Sequence, residues 1–430
     1  MDPAERAQAA RARVPRIDPY GFERPEDFDY AAYEEFFSTY LVILTKRAIK
    51  WSKLLKGSRG VRKSLTVKRY VRKGVPLEHR ARVWMAVSGA QAQMDEHPGY
   101  YRRLLEGEGS PSLEEAIRTD LNRTFPDNVR FRKTAEPCLQ KTLYNVLLAY
   151  GLHNQGVGYC QGMNFIAGYL ILITKNEEES FWLLDALVGR ILPDYYSPAM
   201  LGLKTDQEVL AELVRMKLPA VAALMDGHGV LWTLLVSRWF ICLFVDILPV
   251  ETVLRIWDCL FNEGSKIIFR VALTLIKQHQ EFILEASSVP DICDKFKQIT
   301  KGDFVTECHT FMQKIFSEPG SLSMTTITRL RESCRAALLT QQEYSWRWLF
   351  LSTAWYKGWW EGGRYHLPRE YAGALGNNIW KDRATRQTVA MPTASYPVSC
   401  ILRRKMKGDR GEYFRMVTGE QRTLQMGTAA

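Results

Sequence analysis

From about Gly74 onward, apolar residues recur every three or four positions and rarely alternate. That period lines apolar side chains along one stripe of a helix, so the chain must bury helix faces against one another. In Leu139–Tyr150 the stripe is Leu139, Leu143, Val146, Leu147 and Tyr150; Pro137 suits the first turn and Gly151 reads as the stop. Thr205 and Glu208 have capping-box spacing ahead of Val209, Leu210, Leu213 and Val214. Phe181–Val188, Thr252–Phe261 and Lys266–Leu284 repeat the theme, and no fixed-period repeat suggests a solenoid. The expected fold is all-α, with short loops between helices.

Composition narrows the function classes. The 430 residues are 46% hydrophobic and 24% charged, ordinary for a soluble protein with a large core. The formal charge of +11 is concentrated: Lys46–Lys73 holds 12 Lys/Arg and no acid. Such a run either attracts an anionic membrane or acidic partner, more weakly as salt rises, or forms a solvated lead-in to the domain. No nucleic-acid-binding module accompanies it, so nucleic acid is not an expected partner. The eight cysteines show no CxxC or Cys/His quartet, which predicts reduced thiols in the cytosol and no structural zinc. The N-terminus is polar and lacks the apolar stretch of a secretory signal. Val230–Val250 is apolar but holds Arg238 and Asp246, so two buried helices of a soluble core are expected there. Ahead of the basic run, Phe22, Phe28, Tyr30, Tyr33, Phe36 and Phe37 dot an arm whose Pro15, Pro19 and Pro25 oppose one long helix. Beyond Gln341 the periodicity lapses, and six of the twelve Trp stand with 14 Lys/Arg against 7 Asp/Glu. That tail reads as a poorly ordered extension or, alternatively, as a membrane-interface segment.

Two nucleotide-site patterns fail. In Gly57–Ser64, Arg62 stands where a phosphate-binding loop needs glycine before its lysine. Gly156, Gly158 and Gly162 miss the dinucleotide spacing by one residue and lack a surrounding βαβ unit. The seven histidines are dispersed. No cofactor or metal of the chain's own is expected.

Two other segments do not read as ordinary core. Ser112 and Glu115 have capping-box spacing, predicting a helix from about Leu113 that ends near Pro126. Arg123 then falls near its C-terminal end, with Asp120 three residues earlier to orient the guanidinium. Alone, this is a surface ion pair worth a few tenths of a kcal/mol, roughly. Gly156–Asn164 has three glycines in its first seven residues, and Tyr159, Gln161 and Asn164 stand at the mouth of an apolar helix whose free N–H groups favour an anion. Alone, it is a turn between helices.

Together the segments resemble the TBC domain of Rab GTPase-activating proteins. Ile117, Asp120 and Arg123 match IxxDxxR, and Tyr159, Gln161, Gly162 and Met163 match YxQGM. Gly74, Pro76, Arg80, Val83 and Trp84 are similar to the opening GxPxxxRxxVW, and Trp239–Phe244, Leu248-Pro249 and Leu254–Asp258 to the late WFxxLF, LP and LRIWD. His79 departs from the apolar residue often found there, which concerns packing more than chemistry. The resemblance implies a two-lobed helical domain over 74–264, continued by helices over 265–340, preceded by an arm (1–73, basic segment 46–73) and followed by a divergent tail (341–430). It implies a Rab-type GTPase in its GTP form as partner, with GTP and magnesium belonging to that partner. Arg123 and Gln161 become the catalytic fingers, with Asp120, Tyr159, Gly162, Asn164 and Arg80 supporting them or touching the GTPase. The chain is then a regulator that lends side chains to another protein's active site. The expected location is the cytoplasm, peripherally on endomembranes. A non-catalytic GTPase-binding scaffold and a membrane-associating adaptor are the alternatives.

Overall fold

The computed structural model describes residues 16–26, 28–56 and 61–340 and three short strands near the C-terminus. Residues 57–60 of the glycine-containing segment and most of the Trp-rich tail lie outside the described residues. Met1–Arg335 forms one compact unit and Ala336–Ala430 another. The second contains Ile379–Asp382 (β1), Thr388–Ala390 (β2) and Phe414–Val417 (β3), antiparallel in the order β2-β1-β3.

The first unit is all-helical, as its 3.6-residue period predicts. Tyr30–Leu55 (α1) and Leu65–Lys73 (α2) carry the basic run. Next come Leu77–Ser88 (α3), Ala90–Glu96 (α4), Tyr100–Leu105 (α5), Pro111–Leu121 (α6), Leu139–His153 (α7), Met163–Thr174 (α8) and Glu177–Asp185 (α9). Leu201–Lys217 (α10), Pro219–Gly227 (α11), Trp232–Ile241 (α12), Val250–Glu263 (α13) and Lys266–Gln278 (α14) follow. Gln280–Leu284 (α15), Val289–Gln298 (α16), Asp303–Thr306 (α17) and Cys308–Ser317 (α18) complete it, together with the part of Met324–Thr340 (α19) up to Arg335. α8 is the central helix: every residue from Met163 to Ile173 is buried, and α7 and α9 pack along it. α10 packs on α11, α12 and α14, and α13 joins the two groups by packing on α2, α3, α14 and α18.

The first and last resemblance motifs meet at that joint. The Trp84 indole donates to Asp258 Oδ1 at 2.8 Å and the Val75 amide to Asp258 Oδ2 at 3.1 Å. Arg80 pairs with Glu251 at 2.8 Å and with Asp258 at 3.3 Å. Buried charges survive only when paired and hydrogen-bonded, which explains why the GxPxxxRxxVW and LRIWD residue types occur together in one chain.

Several local readings are corrected. The cap of α6 is Ser110, whose hydroxyl accepts from the Leu113 amide at 3.3 Å, because Pro111 fits the first helical position; Ser112 sits inside the helix. Thr205 lies within α10, its hydroxyl bonded back to the Leu201 carbonyl at 2.7 Å, so it caps nothing. Gly151 does not stop α7: a Cβ there would stand 2.8 Å from Leu113 Cδ2, so the glycine lets α6 approach α7 closely. Val230–Val250 holds one helix, α12, instead of two. Turns follow with positive φ at Leu243, Phe244 and Asp246, and the Trp257 indole holds them by donating to the Leu243 carbonyl at 3.1 Å. Among the described residues no single helix is long and apolar enough to cross a membrane.

Candidate functional site

Arg123 stands just past the end of α6. Ile117 turns inward and is fully buried, which leaves Asp120 on the flank that meets the α7–α8 connection. Asp120 is itself buried, and its Oδ1 accepts from Arg123 Nε at 2.8 Å. The Arg123 side chain remains about 26% exposed, oriented by the carboxylate yet open to solvent.

The chain after Arg123 turns sharply. Pro126 disfavours helix at Phe125, which adopts φ +52° in the left-handed region, a conformation that costs a bulky residue about 1 kcal/mol. Aromatic packing offsets that cost. The Phe125 ring meets Phe22, Phe131, Phe165 and Tyr169 at centroid distances of 5.3–5.6 Å. It lies over Gly168 of α8, where a Cβ would be 2.5 Å from the ring.

Gln161 ends the connection between α7 and α8. Asn154 turns that connection by accepting from Gly158 N at 2.8 Å and Val157 N at 3.1 Å through its carbonyl. Gly158 (φ +60°) and Gly162 (φ +110°) take backbone angles that side chains oppose, and Gly162 begins α8. Asn164 Oδ1 accepts from the Gly162 amide at 3.0 Å and fixes this entry. Gln161 is half-buried, and no side-chain hydrogen bond among the described residues occupies its amide.

Two cross-links, the second fully buried, join the segments. The Tyr159 hydroxyl donates to Asp120 Oδ2 at 2.5 Å, and Asn164 Nδ2 donates to Thr124 Oγ1 at 2.8 Å. Thr124 in turn donates to the Asp120 carbonyl at 2.7 Å. Arg123 therefore lies between two anchored residues, Asp120 and Thr124, and Gln161 between Tyr159 and Asn164. Burial, then the Asp120 carboxylate, pushes the Tyr159 phenol well above its ordinary range, so it stays a donor. Burial also pushes the neighbouring Cys160 thiol to about 12, which leaves it no nucleophile.

Arg80 is not brought to this site. It is 1% exposed and committed to Glu251, Asp258 and the Tyr20 hydroxyl, so it has no surface to offer a GTPase. Conversely, the spacing argument missed Thr124, Phe125 and the arm. Glu23 N donates to the Asp127 carbonyl at 3.0 Å, Val129 N to the Gly21 carbonyl at 2.9 Å, and Asn128 Nδ2 to the Tyr20 carbonyl at 3.2 Å. The arm thus backs the loop that carries Arg123; Phe22 and the Phe125-Pro126 step were its only sequence signals.

Residues 77–284 match the family described as the Rab-GTPase-TBC domain. The chain belongs to this family of Rab GTPase-activating proteins. It is similar to growth hormone-regulated TBC protein 1 of Mus musculus, 90% identical over 358 residues, which cover 79% of this chain and 100% of that protein. The Homo sapiens protein of that name is 85% identical over 341 residues, again 79% of this chain and 100% of the other. Among solved structures, the Chlamydomonas flagellar RabGAP TBC domain superposes with a TM-score of 0.60 at 30% identity, over 70% of this chain and 100% of that one.

Proposed function

We propose that this chain accelerates GTP hydrolysis by a Rab-type GTPase in its GTP form, with Arg123 and Gln161 as the side chains it lends. The observation that carries this reading is the pair of cross-links, Tyr159 to Asp120 and Asn164 to Thr124, which tie the two segments into one rigid mouth. The GTPase brings nucleotide, magnesium and phosphate-binding loop. What a slow GTPase lacks is stabilisation of the charge that develops on the transferred phosphoryl group. The Arg123 guanidinium offers a planar, permanently charged fork to those oxygens, a contribution worth ~10³–10⁵ in rate when delivered in trans. The Gln161 amide, with no side-chain hydrogen bond among the described residues, is available to orient the attacking water. Asp120, Tyr159, Gly162 and Asn164 act by holding these two side chains. On this reading the protein works in the cytoplasm, peripherally on endomembranes.

A GTPase whose own catalytic glutamine is replaced by leucine separates the two roles. Wild-type protein is expected to accelerate that variant, and Gln161→Ala to lose the acceleration while still binding. Equal rates with Gln161→Ala contradict the assignment.

A further inference from the structure

The helix α1 is long for what it buries. Of its 26 residues only Tyr40, Arg47 and Trp51 are buried. Spaced seven and four apart, they form one narrow stripe that rests on the domain, and the Trp51 indole fixes it by donating to the Gly74 carbonyl at 3.0 Å. The opposite side is apolar yet open to solvent: Phe37 is 39%, Leu41 49%, Val42 54% and Ile49 53% exposed. A helix side left to water ordinarily carries charge; residues 36–45 carry none.

This side has the form of a seam. Ser38, Thr45 and Ser52 recur every seven residues along it, flanked by Leu41, Val42, Ala48 and Ile49. A seven-residue recurrence keeps one face turned towards a second helix over several turns, and small side chains at the contact let the two axes approach. Two of the three hydroxyls already have their acceptors. Ser38 donates to the Glu35 carbonyl at 2.8 Å and Thr45 to the Leu41 carbonyl at 2.9 Å. Covering them strands no donor.

The charges at the two ends of the seam select what covers it. Glu35 and Lys53 are both exposed, and neither has an ion-pair partner among the described residues. They stand 18 positions apart, about five helical turns, so they lie on the same edge of the face. When two copies of a helix pack antiparallel about a two-fold axis, same-edge residues meet. Glu35 of one copy then faces Lys53 of the other, twice over, with the axis passing beside the small Thr45. We propose that the exposed face of α1 is the interface of an antiparallel homodimer of this chain. A parallel pair would set Glu34 and Glu35 beside their own copies, and Lys46, Lys50 and Lys53 beside theirs, which like charge opposes. The two glutamates equally oppose an anionic membrane at that end.

The test is sedimentation equilibrium of the full chain over a range of concentrations. Reversible dimerisation is expected, with a dissociation constant on the order of micromolar, because one helix face is a small interface. Leu41→Glu combined with Ile49→Glu is expected to abolish it, with circular dichroism showing the helices retained, since both side chains are exposed. Glu35→Lys alone and Lys53→Glu alone are each expected to weaken it about tenfold by opposing like charges. Both reversals in one chain are expected to restore it, because the pair is only inverted. A monomer at every concentration, a dimer indifferent to Leu41→Glu and Ile49→Glu, or a double reversal that restores nothing overturns the proposal. So does a monomer that sediments with phosphatidylcholine vesicles through Leu41 and Ile49, which would give the face to a membrane.

Discussion

The Tyr159 hydroxyl and the Asp120 carboxylate, 39 residues apart in sequence, meet at 2.5 Å and bind the end of α6 to the entry of α8. Asp120 uses its other oxygen on Arg123. Tyr159→Phe keeps the ring and deletes the donor, so one lone pair of a buried carboxylate goes unsatisfied. The expected stability loss is about 1–2 kcal/mol. GTPase acceleration is expected to drop about tenfold, through kcat more than KM, because the finger is less firmly held. Thermal unfolding beside single-turnover hydrolysis checks both numbers.

Gly168 and Phe125 set a second dependence. A methyl at Gly168 collides with the ring at 2.5 Å, and α8 is too tightly packed to move away. Gly168→Ala is expected to cost about 1–3 kcal/mol, as overpacking does. It also displaces the loop that follows Arg123, so acceleration falls while circular dichroism keeps its helical form.

The arm enters the same argument from outside the family match. Phe22 places its ring edge-on to Phe125 at 5.3 Å, and Tyr20 reaches the Arg80–Glu251 pair. Phe22→Ala is expected to destabilise the domain by about 2–4 kcal/mol. Its cost to GTPase acceleration should exceed that of the equally conservative removal of an exposed ring such as Phe37, measured in the same hydrolysis assay.

pH dependence should carry the mark of His309. Its ring titrates near 6.5 when unfolded and about 4 when folded, lowered by burial and by Arg47 and Arg255. Between those values the unfolded chain binds the extra proton, so stability falls as pH drops from about 6.5 to about 4 and this contribution then levels off. Denaturant titrations across that window should flatten in His309→Gln.

The helical class was legible because the 3.6-residue period is dictated by burial, and α7 and α13 follow their apolar stripes closely. Arg123 and Gln161 stood out only as a pair, since each alone is a plausible surface residue. Their supports were less legible. Gly151 reads as a helix stop but serves close packing, a distinction made by Leu113, 38 positions away. Ser110 won over Ser112 because Pro111 fixes the first turn. Arg80 stood beside the finger segments in the family resemblance, yet only the fold reveals Glu251 and Asp258 around it. Spacing likewise says nothing of what surrounds Phe125: beyond Pro126, its backbone angle is supported by the nearby Phe131 ring and by Phe22, Phe165, Tyr169 and Gly168 from distant segments.

The most direct measurement is single-turnover GTP hydrolysis by a panel of Rab GTPases, with wild-type protein beside Arg123→Ala and Arg123→Lys. Acceleration of one or a few members is predicted, falling ~10³-fold or more in the alanine variant and scarcely rescued by lysine, whose point charge cannot reproduce the fork. An alanine variant that binds and accelerates as well as wild type would contradict the account.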